Sequence, residues 1–191
     1  MIYKAFLLIF PFSLLAACQQ AEVSPPAAKK TITIGRVMLE LPPSYQYVKG
    51  KGVDSYVAYI LNEKKDTFEI EYGKPGIIYQ LFDTPPVVVA KNMKEKFEKN
   101  FTTEHGPDEV VYTNTPSEDN AEGIFLKNYY RYDTVGGLVV RIVQPKRIGD
   151  GMTGMVVQDL PDSNYLSIFA KNLDSTHHKA ALDLYHTVKL K

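Results

Sequence analysis

The chain has 191 residues, 45% of them apolar, with 22 Lys and Arg set against 22 Asp and Glu. So even a balance gives no electrostatic reason to expect nucleic acid or an anionic surface as partner. The single cysteine excludes an internal disulfide framework and a multi-cysteine metal site, and the length suits one domain around one core.

Residues 1–18 read MIYKAFLLIFPFSLLAAC. Lys4 supplies a positive start, Ala5 to Ala17 an apolar run, and Leu15-Ala16-Ala17 the small-residue approach to a cleavage point. The run is well short of the roughly 20 apolar residues that a spanning helix needs. With Cys18 directly after Leu-Ala-Ala, the segment resembles the lipobox of bacterial lipoproteins. That resemblance implies residues 1–17 as a signal peptide, a diacylglycerol on the Cys18 thiol, and an acyl chain such as palmitate on the new amine. Each buried CH₂ contributes about 0.8 kcal/mol, so two or more chains anchor stably. By the same resemblance Gln19, in place of aspartate, implies the outer membrane. The absence of an acidic cluster in Gln19-Gln20-Ala21-Glu22 implies its periplasmic face. Cleavage removes Lys4 and leaves a net charge of −1. Residues 18–30 then form the lipidated cysteine and a polar, proline-bearing tether, and residues 31–191 a single globular domain.

Along that domain, Thr31 to Leu41 reads as one strand, ended by Pro42-Pro43 because proline cannot donate to a ladder. Ser55 to Leu61 is β-prone, and Asp66 to Tyr72 alternates, with Phe68, Ile70 and Tyr72 on one face and Thr67, Glu69 and Glu71 on the other. These two runs predict an antiparallel hairpin with one wet face. The apolar stretch Ile77 to Phe82 follows a Gly/Pro break. Thr84 as N-cap and Pro85 at the first helical position predict a helix. Its stripe, Val89, Met93, Phe97 and Phe101, would face the sheet. Val110 to Tyr112 reads as a short edge strand and Thr113 to Gly123 as a polar loop.

Ile124 to Asp133 and Leu138 to Gln144 flank Gly136-Gly137, a hairpin signal. A three-residue loop, Val135-Gly136-Gly137, pairs Thr134 with Leu138, Tyr132 with Val140 and Tyr130 with Ile142. That register sets Arg131 opposite Arg141 and makes the two a candidate anion or partner contact, since opposed like charges need something anionic nearby. Met152 to Leu160 and Asn164 to Ala170 add two strands. Asp174 or Ser175 caps a last helix with stripe Ala181, Leu184, Tyr185 and Val188. The expectation is an α+β fold, an antiparallel sheet packed against two main helices. That order, with LELPPSY at residues 39–45 and ALDLYHTVKLK at residues 181–191, resembles the PsbP-like α/β/α sandwich family over residues 31–191. The resemblance implies an accessory binding protein without catalytic residues.

Residues able to carry chemistry are few. His177 and His178 diverge by about 100° on a helix, and His186 lies about two turns beyond. With His105 far away in sequence, a solvated helix face accounts for the three. Glu69 and Glu71 share a face, but paired carboxylates do acid–base work only where their pKa values are driven apart, and a wet strand row accounts for them. Ser55 lacks the flanking glycines of a nucleophile elbow. No phosphate loop or dinucleotide fingerprint occurs, so no cofactor is expected. Tyr129, Tyr130 and Tyr132 cluster in one strand, as half-buried β residues or a contact surface. Three classes remain: a non-catalytic envelope lipoprotein binding a protein, glycan or lipid partner; a periplasmic inhibitor or immunity lipoprotein; and a hydrolase whose residues converge only in the fold. The first is favoured.

Overall fold

The computed structural model describes residues 28–101 and 109–191; Cys18, the signal before it, tether residues 19–27 and His105 lie outside them, while Lys30, expected in the tether, opens the first strand. Lys30–Ile34 (β1) and Val37–Leu41 (β2) form a hairpin rather than the single expected strand. Gly35 makes the break: it has a φ of +56°, and a Cβ there would fall 2.0 Å from the Tyr72 ring. Only glycine allows both the left-handed backbone and that approach.

Next come Gln46–Lys49 (β3), Tyr56–Leu61 (β4) and Thr67–Gly73 (β5), with β4 and β5 paired antiparallel as expected. Phe68 and Ile70 are fully buried, so the alternation selected the core face correctly. After a small unit described below, the chain continues through Asn128–Val135 (β8), Leu138–Pro145 (β9), Met152–Val157 (β10) and Tyr165–Lys171 (β11). It ends in the helix Ser175–Tyr185 (α3) and the two-residue strand Lys189–Leu190 (β12). Seven strands make one antiparallel sheet in the order β3-β4-β5-β11-β10-β9-β8, and β1, β2 and β12 make a second. The α+β class and the antiparallel sheet are as expected.

The main core fills the space between one face of the large sheet and a layer of the small sheet and α3. Asp174 caps α3 by accepting from the His177 N–H at 2.9 Å. The predicted stripe Ala181, Leu184, Tyr185 and Val188 is buried throughout. The Tyr185 hydroxyl is satisfied by donating to the Thr153 carbonyl at 3.0 Å, as a buried phenol requires.

The helix expected from Thr84 does not start there. Val87–Ala90 is a strand (β6), paired in parallel with Val110–Thr113 (β7). Three successive valines favour that pleated surface over a helix, where χ1 would be restricted. The helix proper is Lys94–Phe101 (α1), and Phe97 meets Tyr112 of β7 edge to face at 6.4 Å. The first helix therefore packs on the β6–β7 pair, not on the large sheet. The expected polar loop contains Pro116–Ala121 (α2), with Pro116 opening it and Glu118 and Asp119 in its first turn, where proline and carboxylates suit a helix start.

Candidate functional site

The second face of the large sheet carries a smaller core of Leu81, Val143, Met152, Val156 and Phe169. It is crossed by a strap, residues 77–83, formed from the apolar stretch that had no assigned element. Residues 79 to 83 each have their own docking contact. The Tyr79 N–H donates to the Glu71 carboxylate, and its ring meets Phe169 edge to face at 5.3 Å. The Gln80 carbonyl accepts from Nη2 of Arg141. Leu81, fully buried at a φ of +57°, sits on Gly154. Phe82 packs 6.1 Å from Tyr130 and caps the Arg141 guanidinium, whose carbon lies 4.0 Å from the ring centre. Asp83 donates its N–H to the Tyr130 hydroxyl at 2.7 Å and accepts from the Asn128 backbone N–H at 2.9 Å.

Beside the strap lies a recess of about 530 Å³ lined by Thr67, Glu69, Glu71, Tyr79, Phe169 and Lys171. Glu69 and Glu71 are half-buried there rather than standing on a wet row. Burial, followed by the neighbouring Glu71 charge, pushes the Glu69 carboxyl above its usual range, while Lys171 works the other way. A carboxylate pair against two aromatic faces and an ammonium can hold polar or cationic groups by hydrogen bonds and ring contacts. A larger cavity, about 700 Å³, lies between the end of the strap and the β6–β7 unit. Its Asp83 is already committed to Asn128.

The joint contact of Arg131 and Arg141 does not form. Gly136 and Gly137 both have positive φ, +55° and +80°, the signature of a two-residue turn. Val135 therefore pairs with Leu138, one residue away from the expected register. A one-residue slip reverses every side chain. Arg131 pairs with Ile142, whereas Arg141 pairs with Tyr132 and points to the opposite face. Arg141 is only 4% exposed, and its Nε has no hydrogen-bond partner among the described residues. Its company is the Gln80 carbonyl and the Phe82 ring.

The solvated-face reading also fails for His177, which is buried. Its Nδ1 lies 3.0 Å from Asp174 and 3.4 Å from Asp66 without making a hydrogen bond to either, and the ring packs the start of α3 against the β4–β5 turn. His178 is half-buried with Nδ1 2.8 Å from the Thr153 hydroxyl, and burial lowers its pKa. His186 is exposed at the end of α3. Ser55 precedes β4 beside Gly73, and no histidine or carboxylate among the described residues is hydrogen-bonded to it. Among the described residues no group of three His, Cys, Asp or Glu is placed to hold a metal, and no helix is long and apolar enough to cross a membrane.

The tyrosine cluster divides. Tyr130 is half-buried under Phe82, and Tyr129 is exposed with the Lys146 ammonium 5.5 Å from its ring centre. Tyr132 is 67% exposed on the strap-bearing face. With Val139 at 64% and Phe82 at 55% it forms an apolar shelf around the buried Arg141. Sequence reasoning located Tyr132 but missed Phe82 and Val139. The unplaced run Ile77 to Phe82 was the available signal, because six residues so apolar need a surface to cover.

No protein-family model matches the chain, and no curated protein does. Among solved structures it is similar to the solution structure of cyanobacterial PsbP (CyanoP) from Synechocystis sp. PCC 6803. That match has 9% identity and a TM-score of 0.44, and covers 93% of this chain and 99% of that one.

Proposed function

We propose that this is a lipid-anchored protein of the bacterial envelope whose domain binds a protein partner through the strap-bearing face and catalyses no reaction. The run Leu15-Ala16-Ala17-Cys18 supports the anchor: one thiol in the whole chain stands where a lipobox would be acylated. Gln19 supports the outer membrane, and the lack of an acidic cluster in Gln19-Gln20-Ala21-Glu22 supports its periplasmic face. The single observation that carries the binding reading is the shelf of Phe82, Tyr132 and Val139, three large apolar side chains held exposed on the strap-bearing face. Exposed apolar clusters on a folded domain mark contact surfaces, and tyrosine brings contact area at low entropic cost.

The anchor is tested by Cys18→Ser in the full chain. The variant should lose labelled acyl incorporation and leave the membrane fraction after a salt wash; retention on membranes would refute it. For the surface, a photoreactive side chain replacing Phe82 should give a discrete protein adduct in intact envelopes, and the same group at exposed Lys179, on α3, should not. Equal labelling from both positions would overturn the binding face.

A further inference from the structure

We infer that the outer edge of β8 pairs with the same edge of a second copy, on a two-fold axis through Tyr132. The two-residue turn fixes which backbone groups are free. Val135 and Leu138 flank it as a hydrogen-bonded pair, so Val135, Asp133, Arg131 and Tyr129 direct their N–H and C=O groups toward β9. Asn128, Tyr130, Tyr132 and Thr134 direct theirs outward, where no strand among the described residues lies.

Two of these outward N–H groups already have side-chain acceptors. Asn128 donates to Asp83 at 2.9 Å, and Thr134 donates to the adjacent Asp133 carboxylate at 2.7 Å. Tyr130 and Tyr132 remain, with no acceptor for either N–H among the described residues. An open edge of this kind templates another strand.

The side chains choose the occupant. In an antiparallel pairing centred on Tyr132, its N–H and C=O exchange hydrogen bonds with those of its own copy, and Tyr130 does the same with Thr134 of the other, whose N–H exchanges the adjacent Asp133 carboxylate for the Tyr130 carbonyl. Arg131 then lies opposite Asp133 of the other copy, and Asp133 opposite its Arg131. Both are non-hydrogen-bonded pairs, in which side chains approach closest and opposite charges stabilise. Moving the axis to Tyr130 puts Arg131 against Tyr129 and drives the pairing into the Asp83–Asn128 clamp. Moving it to Thr134 puts Arg131 against Gly137. Only the axis at Tyr132 makes both ion pairs and leaves that clamp intact. It also brings Tyr132 beside its own copy, joining two shelves into one. Pairing of five residues buries less than the ~1,000 Å² of a stable interface, so the dimer is weak in solution and needs a capture assay.

The test introduces Tyr132→Cys into the full, membrane-inserted chain, under mild oxidation. A hydrogen-bonded antiparallel pair has Cα atoms about 5.5 Å apart, within disulfide reach, so Tyr132→Cys should cross-link to itself. Val139→Cys, as exposed but one strand farther from the axis, should cross-link at least fivefold less. Adding Arg131→Asp should reduce the Tyr132→Cys product at least fivefold, and adding Asp133→Arg to that should restore it. No product from Tyr132→Cys, equal product from Val139→Cys, or no recovery in the charge swap would each overturn the pairing. Self-cross-linking is read by the mass of the product, so it is distinguishable from success or failure of the partner adduct at residue 82.

Discussion

Leu81 on Gly154 is the contact that seats the strap, and a double-mutant cycle measures it. Leu81 is fully buried, so Leu81→Ala removes a packed side chain at about 2–5 kcal/mol, with about 3 as a central value. A Cβ on residue 154 would lie 2.5 Å from Leu81 Cδ1 and 3.0 Å from the Phe169 Cβ. Leu81 is enclosed on all sides and the Phe169 Cβ is held by its own strand, so Gly154→Ala should cost about 1–3 kcal/mol through overpacking. If the two effects were independent, the double variant would lose about 5 kcal/mol. Truncating Leu81 removes the worse clash, however, and the methyl group introduced by Gly154→Ala fills part of the vacated space. The double variant should therefore lose only about 3 kcal/mol, a coupling of about 2 kcal/mol within the range of contacting residues. Urea unfolding at fixed pH reads this from the midpoints, provided the slopes are equal. Additivity to within about 0.5 kcal/mol would refute the placement of Leu81 on Gly154. The backbone supplies a second check. Replacing alanine by glycine normally costs about 0.5–1 kcal/mol, but the φ of +57° at residue 81 reverses that preference. Leu81→Gly should be at least as stable as Leu81→Ala.

Glu69→Gln should leave stability unchanged at pH 4 and raise it at pH 7. Burial and Glu71 lift the Glu69 pKa above its reference value of 4.5, so its unfavourable contribution is absent below that value and complete once pH exceeds the folded pKa; an unchanged urea midpoint at pH 7 would count against this. Asp174 is held below the ordinary aspartate range, first by the His177 backbone N–H and then by Lys64. Its stabilisation is full above the unfolded pKa of about 3.9 and falls with pH below it, so thermal melts of Asp174→Ala should converge on the wild type as pH drops from 5 to 2. Arg141→Ala should cost about 1–3 kcal/mol by leaving the Gln80 carbonyl without its buried donor. Arg131→Ala, exposed on the other face, should stay within about 0.5 kcal/mol; equal losses would refute the register.

Local periodicity was legible. Phe68, Ile70 and Tyr72 alternate within one strand, and Ala181, Leu184 and Tyr185 recur within one helix. Each pattern is set by side-chain spacing along a few residues, so neither depends on a remote partner. The register of β8 on β9 was only partly so. Gly136-Gly137 marked the turn, but whether two or three residues occupied it decided the face of Arg141. Residues 84–101 were misread at their start because a Thr-Pro opening satisfies the local grammar of a helix. The parallel partner of Val87–Ala90 lies some twenty residues later, and nothing local announces it.

What the sequence alone determined is the part written in local rules: the single thiol of Cys18 at the end of a signal-like run, the α+β order, the core face of β5 and the buried stripe of α3. Tertiary structure decided everything that needs two distant segments to meet. It laid Ile77 to Phe82 across a sheet face, buried Arg141 beneath Phe82 and His177 beside Asp66, and enclosed Glu69 beside Tyr79. The physical reason is that backbone sterics and side-chain period act over a turn or a strand, whereas the burial and electrostatics of a polar group depend on whichever remote surface covers it.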